Sequence, residues 1–336
     1  MKLQSKQLFT RNRTMNLVLL AVAVLFPLIC SAMDSGSYFI YVGCFIFIYI
    51  IAVSGYDILF GYCGQVSLGH AGFFAIGAYG SAILNKELGI PTMITTLLAA
   101  IIAAVVAAII AYPAAKLKVH FLSLATQSFG MIVYYLALAS PGGITGDSIG
   151  YFPKPFSLFG KELSNQTSFY FFALVMCVIF LTLKSMLVNS RTGRAFIAIR
   201  ENVTAANGMG INVRKYKIIA FATSAFFTAF AGSMFGHFSR YIAPSSFNLT
   251  QSNLFSLMLL FGGKGTFYGP IIGAMFVQIL TEATRGVAEY SQVLYAAILL
   301  LVVIFMSSGV TSLNFAGLKK LFQKGKKGQV SEDAED

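Results

Sequence analysis

Charge is what this chain has least of. Only 11% of its 336 residues are Asp, Glu, Lys or Arg, where a soluble domain carries about 25%. Apolar residues make up 57% and come in long runs rather than amphipathic patterns, so lipid is the solvent this chain expects. Acids are scarcest, 12 against 24 basic residues, for a net charge of +12. In a soluble protein that excess would raise nucleic acid as a partner; here the positive residues serve orientation, and no nucleic acid is expected. There are 3 histidines and no H-E-x-x-H, so a membrane metalloprotease has no support. The four cysteines, Cys30, Cys44, Cys63 and Cys177, form no CxxC pair and lie in or beside apolar runs. They read as small hydrophobes, without a disulfide framework or metal site. A phosphate loop is missing too. Gly263-Lys264 is followed by Gly265, and the first glycine of the motif would fall on Met258. ATP is not bound here through that motif, so transport driven by ATP would need a separate ATPase polypeptide.

What is present is a series of apolar runs: residues 15–33, 38–54, a glycine-dense stretch at 55–84, 92–112, 121–140, 168–183, 218–236, 251–261, 271–284 and 293–306. The first follows a basic segment, as a cleaved signal peptide would, with Ser31-Ala32 as small residues near a cut; the many spans after it favour an uncleaved span. The expected fold is an all-α polytopic membrane protein of about ten transmembrane helices, some interrupted at glycines, with both termini cytoplasmic. Its parts are a cytoplasmic segment 1–14, a transmembrane domain 15–310 that includes a cytoplasmic loop 185–217, and a cytoplasmic tail 311–336. Orientation rests on the basic residues. On this threading only Lys86, Lys154, Lys161, Arg240 and Arg285 fall outside, and the rest of the 24 fall inside.

Two stretches stand out. Residues 189–217 are the only long polar, basic segment between two apolar spans. Arg191, Arg194, Arg200, Arg214, Lys215 and Lys217 face a single acid, Glu201. Ala195, Ile197, Ala198 and Ile199 sit among good helix formers, Ala205 and Ala206 follow, and Gly208 and Gly210 stop the run. Such a helix is either a docking element for a cytoplasmic partner or a solvated loop that only sets topology. The second stretch holds Gly61, Gly64, Gly69, Gly72, Gly77 and Gly80, with Gln65, Ser67 and His70 between them. It is either tight helix packing or the lining of a pathway with a broken helix. A lone histidine in a bundle is more often a satisfied structural group than a proton carrier. Gly262, Gly263, Gly265 and Gly269 lie in a second cluster, 262–273, which shares glycine spacing with 61–72 near its start, either as duplicated halves with interrupted helices or by chance.

Four segments together carry a resemblance. GRAFIAIRENVTAANGMGINVRKYKIIAFATSAFFTAFAGSMFG at 193–236, GYCGQVSLGHAGFFAIGAY at 61–79, VHFLSLATQSFGMIV through PGGITG, and FGGKGTFYGPIIGA at 261–274 are spread along the chain from 61 to 274. In this order they resemble the LivM-type permease of branched-chain amino acid ABC importers. The resemblance implies a bacterial cytoplasmic-membrane permease that binds no cofactor itself. Its partners would be a second, LivH-type permease, two cytoplasmic ATPase subunits that hydrolyse ATP, and an extracytoplasmic substrate-binding protein. It places ATPase coupling on Gly193, Arg194, Arg200, Glu201, Ala205, Ala206, Gly208 and Gly210. Thr204-Ala205-Ala206 with Gly210 four residues on is similar to the importer coupling motif, although threonine stands where that motif often has glutamate. Tyr134-Tyr135 occupies the neighbourhood where the family often has an arginine. A pathway polar enough for a zwitterion would pass Gln65, Ser67, His70 and Thr126. The substrate reads as a branched-chain or other hydrophobic amino acid, with urea or a short-chain amide as the alternative. An ion-coupled carrier would want buried acids, and the near-span acids, Asp57 and Glu282, lie close to span ends. An intramembrane enzyme would want a Ser/His, paired Asp or metal constellation within spans, which this pattern lacks.

Overall fold

The computed structural model describes residues 19–30, 36–115, 119–158, 161–163, 165–283 and 297. Helices dominate: α1 (Leu19–Cys30), α2 (Gly36–Asp57), α3 (His70–Leu88), α4 (Thr92–Ala114), α5 (Val119–Ala139), α6 (Gln166–Asn189), α7 (Arg191–Glu201), α8 (Val203–Gly208), α9 (Val213–Ser239), α10 (Leu249–Gly262) and α11 (Gly269–Ala283). Strand pairing among the described residues is a two-residue ladder, Ser157–Leu158 with Lys161–Glu162, and a single bridge from Tyr151 to Ile242.

Why these helices bundle is visible in α4. Ala99, Ala100, Ala103, Ala107 and Ala111 form a fully buried small-residue stripe, while Ile94, Leu98, Ile101, Ile102, Val105 and Ile109 stay exposed. A face this apolar is stable in lipid, and small residues on the other face let a neighbouring backbone come close. That neighbour is α9, which also packs on α2 and α3. α3 and α9 meet backbone to backbone. Gly77 faces the Ala229 carbonyl and Gly232 the Phe74 carbonyl, and a Cβ on either glycine would overlap that oxygen. Hydroxyls add to the seam, with Thr96 and Ser233 2.7 Å apart between α4 and α9. In its most apolar stretch α9 is 67% buried, against 17% for α5. So α9 is the hub, and α5 lies on the rim with most of its surface uncovered.

Among the described residues, five helices are long and apolar enough to cross a membrane: Gly36–Tyr62, Thr92–Ala114, Phe121–Ala139, Gln166–Asn189 and Val213–Ser239. The described residues therefore do not reach the ten expected. α1 and α11 are apolar but shorter, and α10 has 14 residues. α3 has the length but is diluted by glycine and polar groups. The expected span at 293–306, the segment 1–14 and the tail 311–336 lie outside the described residues.

Both glycine-rich stretches are breaks between helices. α2 runs into a π-helical turn, Ile58–Tyr62, and the chain is then irregular until His70. α10 stops at Gly262, and α11 starts at Gly269. The two breaks touch, with the Gly265 N–H 2.7 Å from the Asp57 carboxylate. They lie at the end of the bundle that carries α7 and α8. The opposite end is closed by 3-10 turns at Pro141–Gly143, Asp147–Ile149 and Pro244–Phe247. There Thr92 Oγ1 donates to the Ser157 carbonyl (2.8 Å), and His237 Nδ1 lies 2.8 Å from the Lys154 carbonyl.

Candidate functional site

The basic loop folds as two helices rather than one, because Asn202 takes an extended backbone between them. Each start is capped by a side-chain oxygen that satisfies amides with no intrahelical partner. Ser190 Oγ accepts from the Thr192 and Gly193 amides, Asn202 Oδ1 from Ala205, and Asn212 Oδ1 from Lys215 at the start of α9. α7 is amphipathic. Gly193, Ala195, Phe196 and Ile199 are buried, and Arg194 and Glu201 are exposed. Gly193 sits so close to the Val188 carbonyl of α6 that a Cβ would overlap it. α8 stands clear of the bundle. Ala206 alone is buried, while Val203, Ala205, Gly208 and Met209 just beyond the helix are exposed, Met209 to 81%. Gly210, at φ 79°, ends the turn, and the Ile211 amide donates back to the Ala206 carbonyl. This is a left-handed helix stop, the geometry glycine takes without strain. An open groove of about 640 Å³ runs beside it, between Val203, Thr204, Asn207 and Arg214. Arg214 stacks over Tyr112 of α4, 3.6 Å from the ring centre.

Beneath this loop the two breaks are tied together. Lys184 of α6 pairs with Asp57 at 2.6 Å, and both side chains are buried. The other Asp57 oxygen accepts from the Gly265 amide (2.7 Å), and Lys184 also donates to the Thr266 carbonyl (3.2 Å) and lies over the Tyr62 ring. From the loop side, Arg200 Nη1 donates to the Gly61 carbonyl at 2.8 Å. Gly61 has no room for a Cβ, which would overlap Asp57 and the Gly265 amide. Gly64 has φ 71° and packs against the Arg200 stem. Around the second break, Gly262 faces the Gly269 carbonyl, Gly269 faces the Gly263 carbonyl, and Gly263 and Gly265 have positive φ.

The start of α3 is pinned by polar groups inside the bundle. His70 uses both ring nitrogens, toward Ser67 Oγ at 2.9 Å and Ser224 Oγ of α9 at 2.7 Å. Thr126 of α5 accepts from the Leu68 amide, and Ser252 of α10 accepts from the Ala71 amide. Gly69 lies against the Thr126 carbonyl and Gly72 against Gly130 and Phe129. Gln65, Ser67, His70 and Thr126 are all buried. None of the four is on the wall of the nearby cavity, about 210 Å³ between α3, α5 and the start of α10. That wall carries Gln127, Tyr134, Tyr135, Asn248, Thr250 and Ser252.

The bundle of apolar helices thus carries a capped, exposed helix at one end and paired breaks beneath it. The family profile described as branched-chain amino acid transport system, permease component, matches residues 37–305. The chain belongs to this permease family. The permease is 30% identical over 328 residues to the high-affinity branched-chain amino acid transport system permease protein LivM of Salmonella typhimurium, covering 90% of this chain and 76% of that one. It is 29% identical to LivM of Escherichia coli, over 81% and 69% of the two chains. LivH of Salmonella typhimurium is 25% identical over 78% of this permease and 90% of its own length. No solved structure matches the permease significantly.

Two features of the permease escape a reading of its sequence. Lys184 looks like one more basic residue at a span end, and Asp57 like an isolated acid; 127 positions separate the partners. The signal available was their type, since charges at membrane depth seek each other. Ser224 follows Thr223 in an otherwise apolar run and Ser252 lies in the polar start of α10, and nothing local marks either as a partner of the α3 start. Glu282, the other near-span acid, accepts from the Tyr38 hydroxyl at 2.8 Å.

Proposed function

We propose that this permease is a membrane-spanning subunit of an ABC importer for branched-chain or other hydrophobic amino acids, driven by separate ATPase subunits. The observation that carries this reading is α8: a capped helix, exposed except at Ala206, held off the bundle between α6 and α9. Its exposed apolar residues, Val203 at the start and Met209 just past the end, suit a groove on a cytoplasmic ATPase, and Arg194, Glu201, Ala205, Gly208 and Gly210 are exposed as well. The paired LivH-type permease and the extracytoplasmic binding protein follow from the family, as does the bacterial cytoplasmic membrane. Amino-acid transport is favoured over urea or amide transport by the LivM and LivH relatives.

The substrate path is proposed to pass the cavity beside α5. Aromatic rings at Tyr134 and Tyr135 and amides or hydroxyls at Gln127, Asn248 and Thr250 can pass an apolar zwitterion without holding it tightly. Gln65, Ser67, His70 and Thr126 then shape the path by fixing the α3 start. An ion-coupled carrier finds little in the buried charges, because Asp57 and Lys184 are matched to each other and to backbone groups. ATP binding drives uptake only if it favours one bundle state over the other. The test is purification of the tagged permease from its native membrane in mild detergent, then reconstitution into vesicles. Expected are a co-eluting second permease and ATPase, and leucine uptake that requires ATP and the binding protein. Uptake driven by an ion gradient alone would overturn the reading.

A further inference from the structure

Arg200 lies three residues before α8, and although its side chain is 37% exposed it reaches the first break. Two of its nitrogens are held by the neighbouring Glu201 carboxylate, at 3.1 and 2.7 Å, which leaves Nη1 aimed at the Gly61 carbonyl, 2.8 Å away. Its stem fills the space beside Gly64, where a Cβ would come within 2.9 Å of Cγ, and Nη1 lies beside Gly265 of the second break. The arginine thus touches both breaks from the end of α7. Asp57 and Lys184 clamp the same point from within, joining the end of α2, α6 and the 263–268 turn. α6 leads directly into α7 and α8.

We infer that Arg200 is a positioning residue that carries displacement of α8 into the glycine break before α3, while the buried Asp57–Lys184 pair fastens the second break to the same point. The break ends at His70, so a shift at Gly61 and Gly64 reaches the α3 start beside the cavity through nine residues without regular helix for most of their length. This assignment rests on the importer reading above, and it states where the coupling enters the bundle.

Cys63 offers a reporter, because it sits inside the break between Gly61 and Gly64 and is fully buried. With Cys30, Cys44 and Cys177 replaced by alanine, maleimide labelling of Cys63 is compared in wild type, Arg200→Met, Arg200→Lys and the exposed control Arg191→Met. Arg200→Met is expected to speed labelling about fivefold or more and to lower leucine uptake per ATP hydrolysed by a similar factor, the range typical of coupling between sites. Thermal stability and ATPase retention should stay at wild type. Arg200→Lys, which keeps one donor for Gly61, should recover part of both, and Arg191→Met should change neither. Unchanged Cys63 labelling in Arg200→Met overturns the inference. So does faster labelling with lower thermal stability and normal uptake per ATP, which would make Arg200 a structural clamp only. If no ATPase co-purifies with wild type, the importer reading fails instead, and the labelling comparison on the permease alone still decides whether Arg200 holds the break.

Discussion

Asp57 and Lys184 are each matched atom by atom. One carboxylate oxygen meets the ammonium, the other meets a backbone amide, and the ammonium takes a carbonyl as well. Removing one partner strands a buried charge, whereas replacing both with neutral groups of similar volume does not. Lys184→Ala should therefore destabilise the permease by about 3–5 kcal/mol, and Asp57→Asn with Lys184→Met should recover most of it. Thermal unfolding of the detergent-purified protein measures both, and a double variant no better than the single would show that the pair is not the cause. Glycine positions divide in the same residue-level way. A Cβ at Gly69 overlaps the Thr126 carbonyl, while at Gly208 nothing lies within 4 Å. Gly69→Ala should cost about 1–3 kcal/mol through overpacking, and Gly208→Ala should gain roughly 0.5–1 kcal/mol of helix stability. Equal unfolding temperatures for the two would contradict the packing at α5.

At the scale of the element, α8 is six residues long and has little stability of its own. Its caps hold it: Asn202 at the start, and the left-handed Gly210 just past the end. Space around Gly210 is open, so a side chain there is opposed only by backbone strain, about 1–2 kcal/mol for a β-branched residue. Gly210→Val should fray α8 and reduce ATPase retention, and Gly210→Asn should be tolerated. Ala206 is buried, so Ala206→Glu perturbs the permease's own packing and says little about docking. Met209 is the better probe. Met209→Glu should leave the unfolding temperature unchanged and lower the amount of ATPase that co-purifies. Full ATPase retention in both Gly210→Val and Met209→Glu would make the loop a passive connector.

For the whole molecule, the two ends of the bundle differ in kind. One presents α7, α8 and the basic loop, and the other presents the turns and short ladder between 140 and 165. We propose, from the positive-inside rule, that the first end is cytoplasmic. With the four buried native cysteines replaced, a cysteine at the exposed Asn207 should react with an impermeant maleimide only in permeabilised cells. One at Ile149, 76% exposed at the opposite end, should react in intact cells. The reverse pattern would invert the orientation.

The solvent, the helical class and the family were legible in the order of the amino acids alone. Each is carried by local or additive features: long apolar runs, scarce charge, and motif strings that stay contiguous. The same order also marked the helix stop at Gly210 and the glycine-dense stretches, because a cap or a small residue is a property of one position. Whether a glycine packs or opens space was not local. Gly69 and Gly208 look alike in the chain, and only the α5 backbone beside one of them separates the two. The span count also depended on context, since α3 and α11 start at breaks that hydropathy smooths over. His70 gained a partner for its second nitrogen only when α9 brought Ser224 to it. Asp57, Lys184 and Arg200 became one junction only when α2, α6 and α7 converged on the 263–268 turn. A hydrogen bond or ion pair depends on distance in space, and partners 127 or 154 positions apart meet by helix packing alone.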